Sequence, residues 1–222
     1  MEKKYLRNNN AKREEKWHVE LSKRFSVITW DKMRYFCASI DLENPVKWLQ
    51  YQILRNSLQT NVIVSHFVPN VSPECQFCHL EPEKISHIFW HCHFVSVFLK
   101  DIITWVRSTG LEFDPSREQF LFGYLNQKFD TPNNYLILHI KKYIWTTKFK
   151  DVNSLSVVGF KNYFNLIIRD LKRVYNEINK SAEFHVWNVL VDDLPDDHLA
   201  LPLHDGVHQE QVQHLLLQAA QP

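Results

Sequence analysis

The chain has 222 residues, 45% apolar and 14% aromatic, enough to bury a core in one domain with appendages and too apolar for a chain disordered throughout. Its 4 glycines argue against turn-rich all-β folds and phosphate-cradling glycine loops, and with three of its 4 cysteines in one cluster a disulfide framework is not expected. The formal net charge of +1 conceals a partition: residues 1–180 hold all 26 Lys and Arg against 18 acids, a basic body of +8, and residues 181–222 hold none against 7, an acidic tail of −7.

From Glu2 to Arg24 the sequence mixes Lys3, Lys4, Arg7, Lys12, Arg13 and Lys16 with three consecutive asparagines. This reads as a basic N-terminal arm, residues 1–24, frayed at its start and turning helical around Trp17 and Leu21. A short helix is expected from about Asp31, which can cap it. Asn44-Pro45 is a helix start, with Asn as N-cap and Pro pre-set at the first helical position. Val46, Leu49, Ile53 and Leu58 then recur at helical spacing and are expected to face the core, with Lys47 and Arg55 off that stripe. Thr60 can cap a further turn, and Pro69 to Pro73 is a loop. Within it Asn70-Val71-Ser72 is a glycosylation sequon, expected to be silent in a chain without a secretory signal.

The loop leads into Cys75 to Cys92, CQFCHLEPEKISHIFWHC, where two residues separate Cys75 from Cys78, eight separate Cys78 from His87 and four separate His87 from Cys92. Three thiols and an imidazole at these spacings make a complete tetrahedral donor set for Zn2+, with no position left open for a substrate. The site is therefore expected to be structural. His79, His91 and His93 crowd the same segment and leave the fourth ligand open to them; His87 is preferred for its neighbours Ile85, Ile88 and Phe89.

After Cys92 a helix is expected in which Phe94, Phe98, Ile102, Trp105 and Val106 form the apolar face, with Gly110 as C-cap. Phe120 to Tyr124 is ambiguous between strand and helix. Thr131-Pro132 opens the next helix, with Leu136, Ile140, Tyr143, Ile144 and Thr147 on one face and Lys141, Trp145 and Lys148 on another. An aromatic between two cations suits stacking on an unpaired base flanked by phosphates; Leu138 near the same face offers the competing reading of Trp145 as core. Gly159 to Lys180 is the longest periodic segment. Phe160, Phe164, Ile167, Leu171, Val174 and Ile178 form its apolar seam, and Lys161, Arg169, Lys172, Arg173 and Lys180 fall opposite. That stripe suits phosphate contact, and equally suits an ordinary solvated helix face.

The last stretch, 188–222, changes to paired aspartates, prolines and a Gln/His-rich end, and is expected to be an acidic, partly disordered tail. Its His204 and His208 lie four apart, with no cysteine or glutamate motif to make them a metal pair.

The zinc segment resembles the zinc-binding segment near the C-terminus of LINE-type (non-LTR) retrotransposon reverse transcriptases. Glu81-Pro82-Glu83, Ile85, His87-Ile88-Phe89-Trp90 and Cys92 carry the likeness. Upstream, Trp48 to Asn61 (WLQYQILRNSLQTN) resembles the helix and Leu-x-Thr-Asn turn that precede the segment in that family. Downstream, Phe122-Gly123-Tyr124 and Tyr135 to Lys148 resemble the helix that follows, and Trp187 matches a tryptophan near the family's end. Gln59 and Leu99 depart from the family's usual proline and tryptophan. The resemblance implies a polymerase core and an endonuclease upstream of Met1. Val191-Asp192-Asp193-Leu194 superficially matches the polymerase aspartates but follows the zinc segment and reads as a decoy.

The expected fold is mainly α: a helical domain, 25–187, built around a CCHC zinc knuckle at 75–92, between the basic arm and the acidic tail. No nucleophile, general base and oxyanion-donor set can be assembled, so catalysis is not expected. The resemblance implies a non-catalytic region that binds RNA or DNA and assists template and target handling in target-primed reverse transcription, alongside a polymerase core. A zinc-stabilised protein-interaction module and a decayed retroelement fragment without activity are the alternatives. No membrane and no small-molecule substrate are expected, and the location is expected to be cytoplasmic or nuclear.

Overall fold

A computed structural model describes residues 2–39, 44–125, 132–150 and 155–177, and among them the chain is mainly helical with no β-strand. The helices are α1 (Glu2–Leu21), α2 (Val27–Ser39), α3 (Asn44–Leu54), α4 (Asn61–Val64), α5 (His93–Ser108), α6 (Arg117–Phe122), α7 (Pro132–Thr147) and α8 (Val157–Glu177). A π-helical turn, His87–His91, precedes α5, and an isolated antiparallel bridge joins Glu74 to Pro82. The tail 188–222, with Trp187, Lys180, His204 and His208, lies outside the described residues.

α7 is the central helix. Eleven of its 16 residues are buried, from Asn134 to Thr147, and it packs on α3 and α8. A helix covered on nearly all sides cannot carry a free cationic face. Two faces had been expected, one apolar and one bearing Lys141, Trp145 and Lys148; the neighbouring helices cover both. Asn134 fixes the start, accepting from the amide of Tyr124 through Oδ1 at 2.6 Å.

α3 buries Val46, Leu49, Gln50, Ile53 and Leu54, at the i, i+3, i+4, i+7, i+8 positions of one helical face. The polar member is satisfied: Gln50 Nε2 donates to the carbonyl of Leu121 at 2.9 Å. Leu58, beyond the helix, is buried as expected. α6 settles the ambiguous Phe120–Tyr124 run in favour of helix, because Ser116 and Gln119 form a reciprocal capping box at its start. It ends at Gly123, where φ is +92° and an added Cβ would stand 2.7 Å from the buried Phe36 ring. Only glycine meets both demands.

The N-terminal segment turns helical around Trp17 and Leu21, as expected, and meets the core there. α1 delivers Trp17 and Leu21 into the core, and Trp17 Nε1 donates to the carbonyl of Leu54 at 3.1 Å while its ring stands edge-on to Phe122 at 5.1 Å. α2 starts earlier than Asp31. Ser26 Oγ accepts from the amide of Thr29 at 3.2 Å, as an N-cap does, and Asp31 instead pairs with Arg34 one turn on.

In α5 the buried face is Val95, Phe98, Leu99, Ile102, Trp105 and Val106. Phe94, expected inside, is 45% exposed; the face begins one residue later because Cys92 is the N-cap and is itself committed to the interior. The helix closes as expected near Gly110, whose φ is +85° and whose amide donates to the carbonyl of Arg107 at 3.0 Å. On α8, Phe160, Phe164 and Ile168 are buried, and Ile167 is only half-buried. The buried position after Phe164 is therefore Ile168, and the expected seam residues Leu171, Val174 and Ile178 fall outside the described side chains.

Candidate metal centre

Cys75 lies in the loop that enters the segment, on the side of the Glu74–Pro82 bridge, where its amide donates to the carbonyl of Glu81 at 2.8 Å. The chain then turns back on itself: the amide of His79 donates to the carbonyl of Cys75 at 2.8 Å, and His79 takes φ +53° to let it do so. This tight turn holds Cys75 and Cys78 side by side.

The second pair comes from the π-turn. In an α-helix, residues five apart stand about 140° apart around the axis. Here the amide of Cys92 donates to the carbonyl of His87 at 2.8 Å, an i+5 bond that widens the turn and stacks the two residues on one face. The H-x4-C spacing is thus read through a π-turn rather than an α-helix.

One donor atom from each of Cys75, Cys78, His87 and Cys92 lies within 4.8 Å of every other. Cys75 Sγ and Cys92 Sγ are 3.8 Å apart, and Cys78 Sγ and His87 Nε2 are 3.4 Å apart. An ion bound tetrahedrally by sulfur at about 2.3 Å and nitrogen at about 2.0 Å sets edges of about 3.8 and 3.5 Å. The four side chains lie close together and can hold a metal ion. Of the competing histidines, His79 and His93 are exposed and His91 faces Arg117 at 3.4 Å; none joins the group.

The electrostatics suit a cation. The Cys75 thiol is pushed well above its ordinary range by its hydrogen bond to Cys92 and by burial, while that same bond holds Cys92 below it. The two buried sulfurs share one contact at 3.8 Å, the spacing that a metal between them would bridge. The amides of Cys78 and Phe77 point at the Cys75 sulfur, and those of Val95 and Phe94, in the first turn of α5, at the Cys92 sulfur. A thiolate at a helix N-terminus is favoured by the helix dipole as well as by these bonds. Burial lowers the His87 pKa and keeps its imidazole neutral and able to ligate.

A second buried group braces the segment. Glu83 is fully buried; its Oε1 accepts from the amide of Asn61 at 2.8 Å and its Oε2 from the amide of Gln76, inside the Cys75–Cys78 turn, at 3.0 Å. Lys148, just past α7, forms a short salt bridge to Glu83 and donates to Asn61 Oδ1 at 3.2 Å. On the other side, Ser86 hydrogen-bonds Glu20 of α1. The Cys75–Cys92 segment is thereby tied to α1, α4 and the end of α7.

This geometry corrects two of the expected phosphate contacts. Lys148 is 2% exposed and committed to Glu83, and Lys141 is 1% exposed, donating to Gln50 Oε1 and to the carbonyl of Leu121. Neither ammonium reaches the surface. Trp145 is half-buried between Phe89 and Phe149, with Lys148 Nζ 4.6 Å from its ring centroid. It closes the space between the metal segment and α7, the core role that Leu138 suggested. Lys161 is half-buried, its Nζ 4.8 Å from the Trp105 ring centroid, and Arg169 is exposed. The side chains of Lys172 and Arg173 lie outside the described residues, as does Lys180.

No protein-family model, curated protein or solved structure matches this chain. No helix among the described residues is long and apolar enough to cross a membrane.

Proposed function

We propose that the chain is a zinc-stabilised helical domain that binds RNA or DNA without catalysing a reaction, in the manner that its likeness to the C-terminal region of LINE-type reverse transcriptases implies. The observation that carries this reading is the closed set of Cys75, Cys78, His87 and Cys92, with donor atoms within 4.8 Å of one another, in the segment that bears the likeness. Three thiolates and one imidazole suit zinc above harder ions, and four protein donors leave no site for a reacting water. In this reading the ion orders the segment, and the basic body, with 26 Lys and Arg against 18 acids before residue 181, supplies the attraction for phosphate.

The zinc-loaded chain is titrated into labelled single-stranded RNA and duplex DNA over a salt series. A micromolar or tighter Kd with a steep salt slope supports the reading. A folded, metal-loaded sample that binds neither at low salt overturns it and moves the assignment to a protein-interaction module.

A further inference from the structure

The two cations expected to line a nucleic-acid face on α7 are buried, yet aromatic rings beside cations reach the surface on α3 and just past its end. Trp48 is 59% exposed and Tyr51 36% exposed, one turn apart on the face opposite Leu49 and Ile53. Their rings are stacked, with centroids 5.4 Å apart and planes 22° apart. One turn further, the Arg55 guanidinium lies 5.1 Å from the Tyr51 ring centroid and hydrogen-bonds the Tyr51 hydroxyl. Lys47 flanks the row. The result is a ladder of planar groups along one helix face: indole, phenol, guanidinium.

We propose that this ladder is a stacking platform for unpaired bases of a single-stranded nucleic acid, an assignment that rests on the nucleic-acid-binding reading above. Three observations favour that occupant over a protein. Apart from Pro45 in its first turn, the platform carries no aliphatic side chain: the other outward residues of α3 are Asn44, Lys47, Trp48, Tyr51 and Gln52, and Arg55 follows one residue past its end. The Trp48 and Tyr51 rings are already close to parallel, 22° apart, so a base adds to the stack at little conformational cost, and every base offers a π-face. The charge complements phosphate, because no Asp or Glu occurs from Asn44 to Pro73. A duplex hides its base faces, so the platform discriminates single strands from double.

The test is fluorescence anisotropy with labelled single-stranded oligonucleotides and the zinc-loaded full chain, comparing wild type with Trp48→Ala, Tyr51→Ala and Arg55→Ala. Trp48 and Tyr51 lie on the outer face of α3 and Arg55 one residue past its end, and zinc content and circular dichroism report that each variant is folded. Trp48→Ala and Tyr51→Ala each raise Kd at least about fivefold with an unchanged salt slope, since removing a ring releases no counterion. Arg55→Ala lowers the slope by about one. Wild-type binding that all three variants match overturns the platform and leaves the nucleic-acid reading standing. Absence of single-strand binding by the wild type overturns the platform; absence of duplex binding as well removes the nucleic-acid reading too. A dimer in light scattering that dissociates in Trp48→Ala assigns the face to a second copy of the chain and overturns the proposal.

Discussion

Glu83 and Lys148 form an ion pair sealed from water, with Glu83 fully buried and Lys148 2% exposed, joining the Cys75–Cys92 segment to the residue that follows the central helix. The carboxylate also accepts two backbone amides, so its charge is shared among three donors. Burial lowers the Lys148 pKa, and the carboxylate opposes that shift. Such a pair costs its desolvation to form and becomes a liability when one partner is lost.

Lys148→Met therefore destabilises the fold by about 3–5 kcal/mol in denaturant unfolding, because it strands a buried carboxylate. Adding Glu83→Gln recovers part of that loss, since a neutral side chain no longer needs an ammonium. Lys148→Met within 0.5 kcal/mol of wild type would contradict the pair's burial.

His139, in the middle of α7, has no exposed surface and lies among Tyr135, Tyr163 and Phe164. Burial, aided by Lys142, depresses its pKa from 6.5 to about 3. The unfolded chain takes up a proton below pH 6.5 that the folded chain refuses, so this contribution to stability is complete above pH 6.5 and falls as the pH drops toward 3. At pH 5 it has lost about 2 kcal/mol. His139→Phe removes that slope. It also removes the 3.2 Å hydrogen bond between His139 Nδ1 and the Tyr163 hydroxyl, which shifts stability equally at all pH values. Parallel pH–stability curves for the two proteins between pH 7 and 5 would contradict the assignment.

Among the described residues, the two glycines with positive φ separate steric from conformational demands. Gly110 has open space where a Cβ would go, whereas at Gly123 the Phe36 ring fills it. Gly110→Ala costs about 1 kcal/mol through backbone strain alone. Gly123→Ala adds overpacking and costs about 2–4 kcal/mol. Equal losses in denaturant unfolding would contradict the close approach.

His79 bears φ +53° with its side chain in solvent, a conformation that favours glycine. His79→Gly stabilises the metal-loaded protein by a few tenths to about 1 kcal/mol and leaves the metal stoichiometry at one. Loss of metal on this substitution would make His79 a ligand.

The helical class and the donor set were legible in the sequence for a simple reason: apolar spacing reports one face of a helix, and ligand spacing reports proximity. The four donor residues needed only local geometry, although their π-turn was hidden, since no residue type marks an i+5 bond. The Lys141–Trp145–Lys148 group misled because spacing tells which residues share a face and not whether a neighbour covers it. Gln50 was a readable warning: a polar residue inside the Val46–Leu49–Ile53 stripe requires an interior partner, and Lys141, with the Leu121 carbonyl, is that partner. Glu83 carried no such mark. Its role arises from residues distant in sequence, Asn61 and Lys148.

The central claim is that Cys75, Cys78, His87 and Cys92 hold one structural zinc ion. The most direct measurement is zinc stoichiometry by mass spectrometry of the purified chain and of Cys78→Ser, coupled to thermal unfolding and to the absorption spectrum of the cobalt-substituted protein. The account predicts one zinc per chain, a tetrahedral cobalt spectrum with thiolate charge transfer, and loss of both metal and cooperative unfolding in Cys78→Ser. A metal-free wild type that melts cooperatively and is unchanged by Cys78→Ser would contradict it.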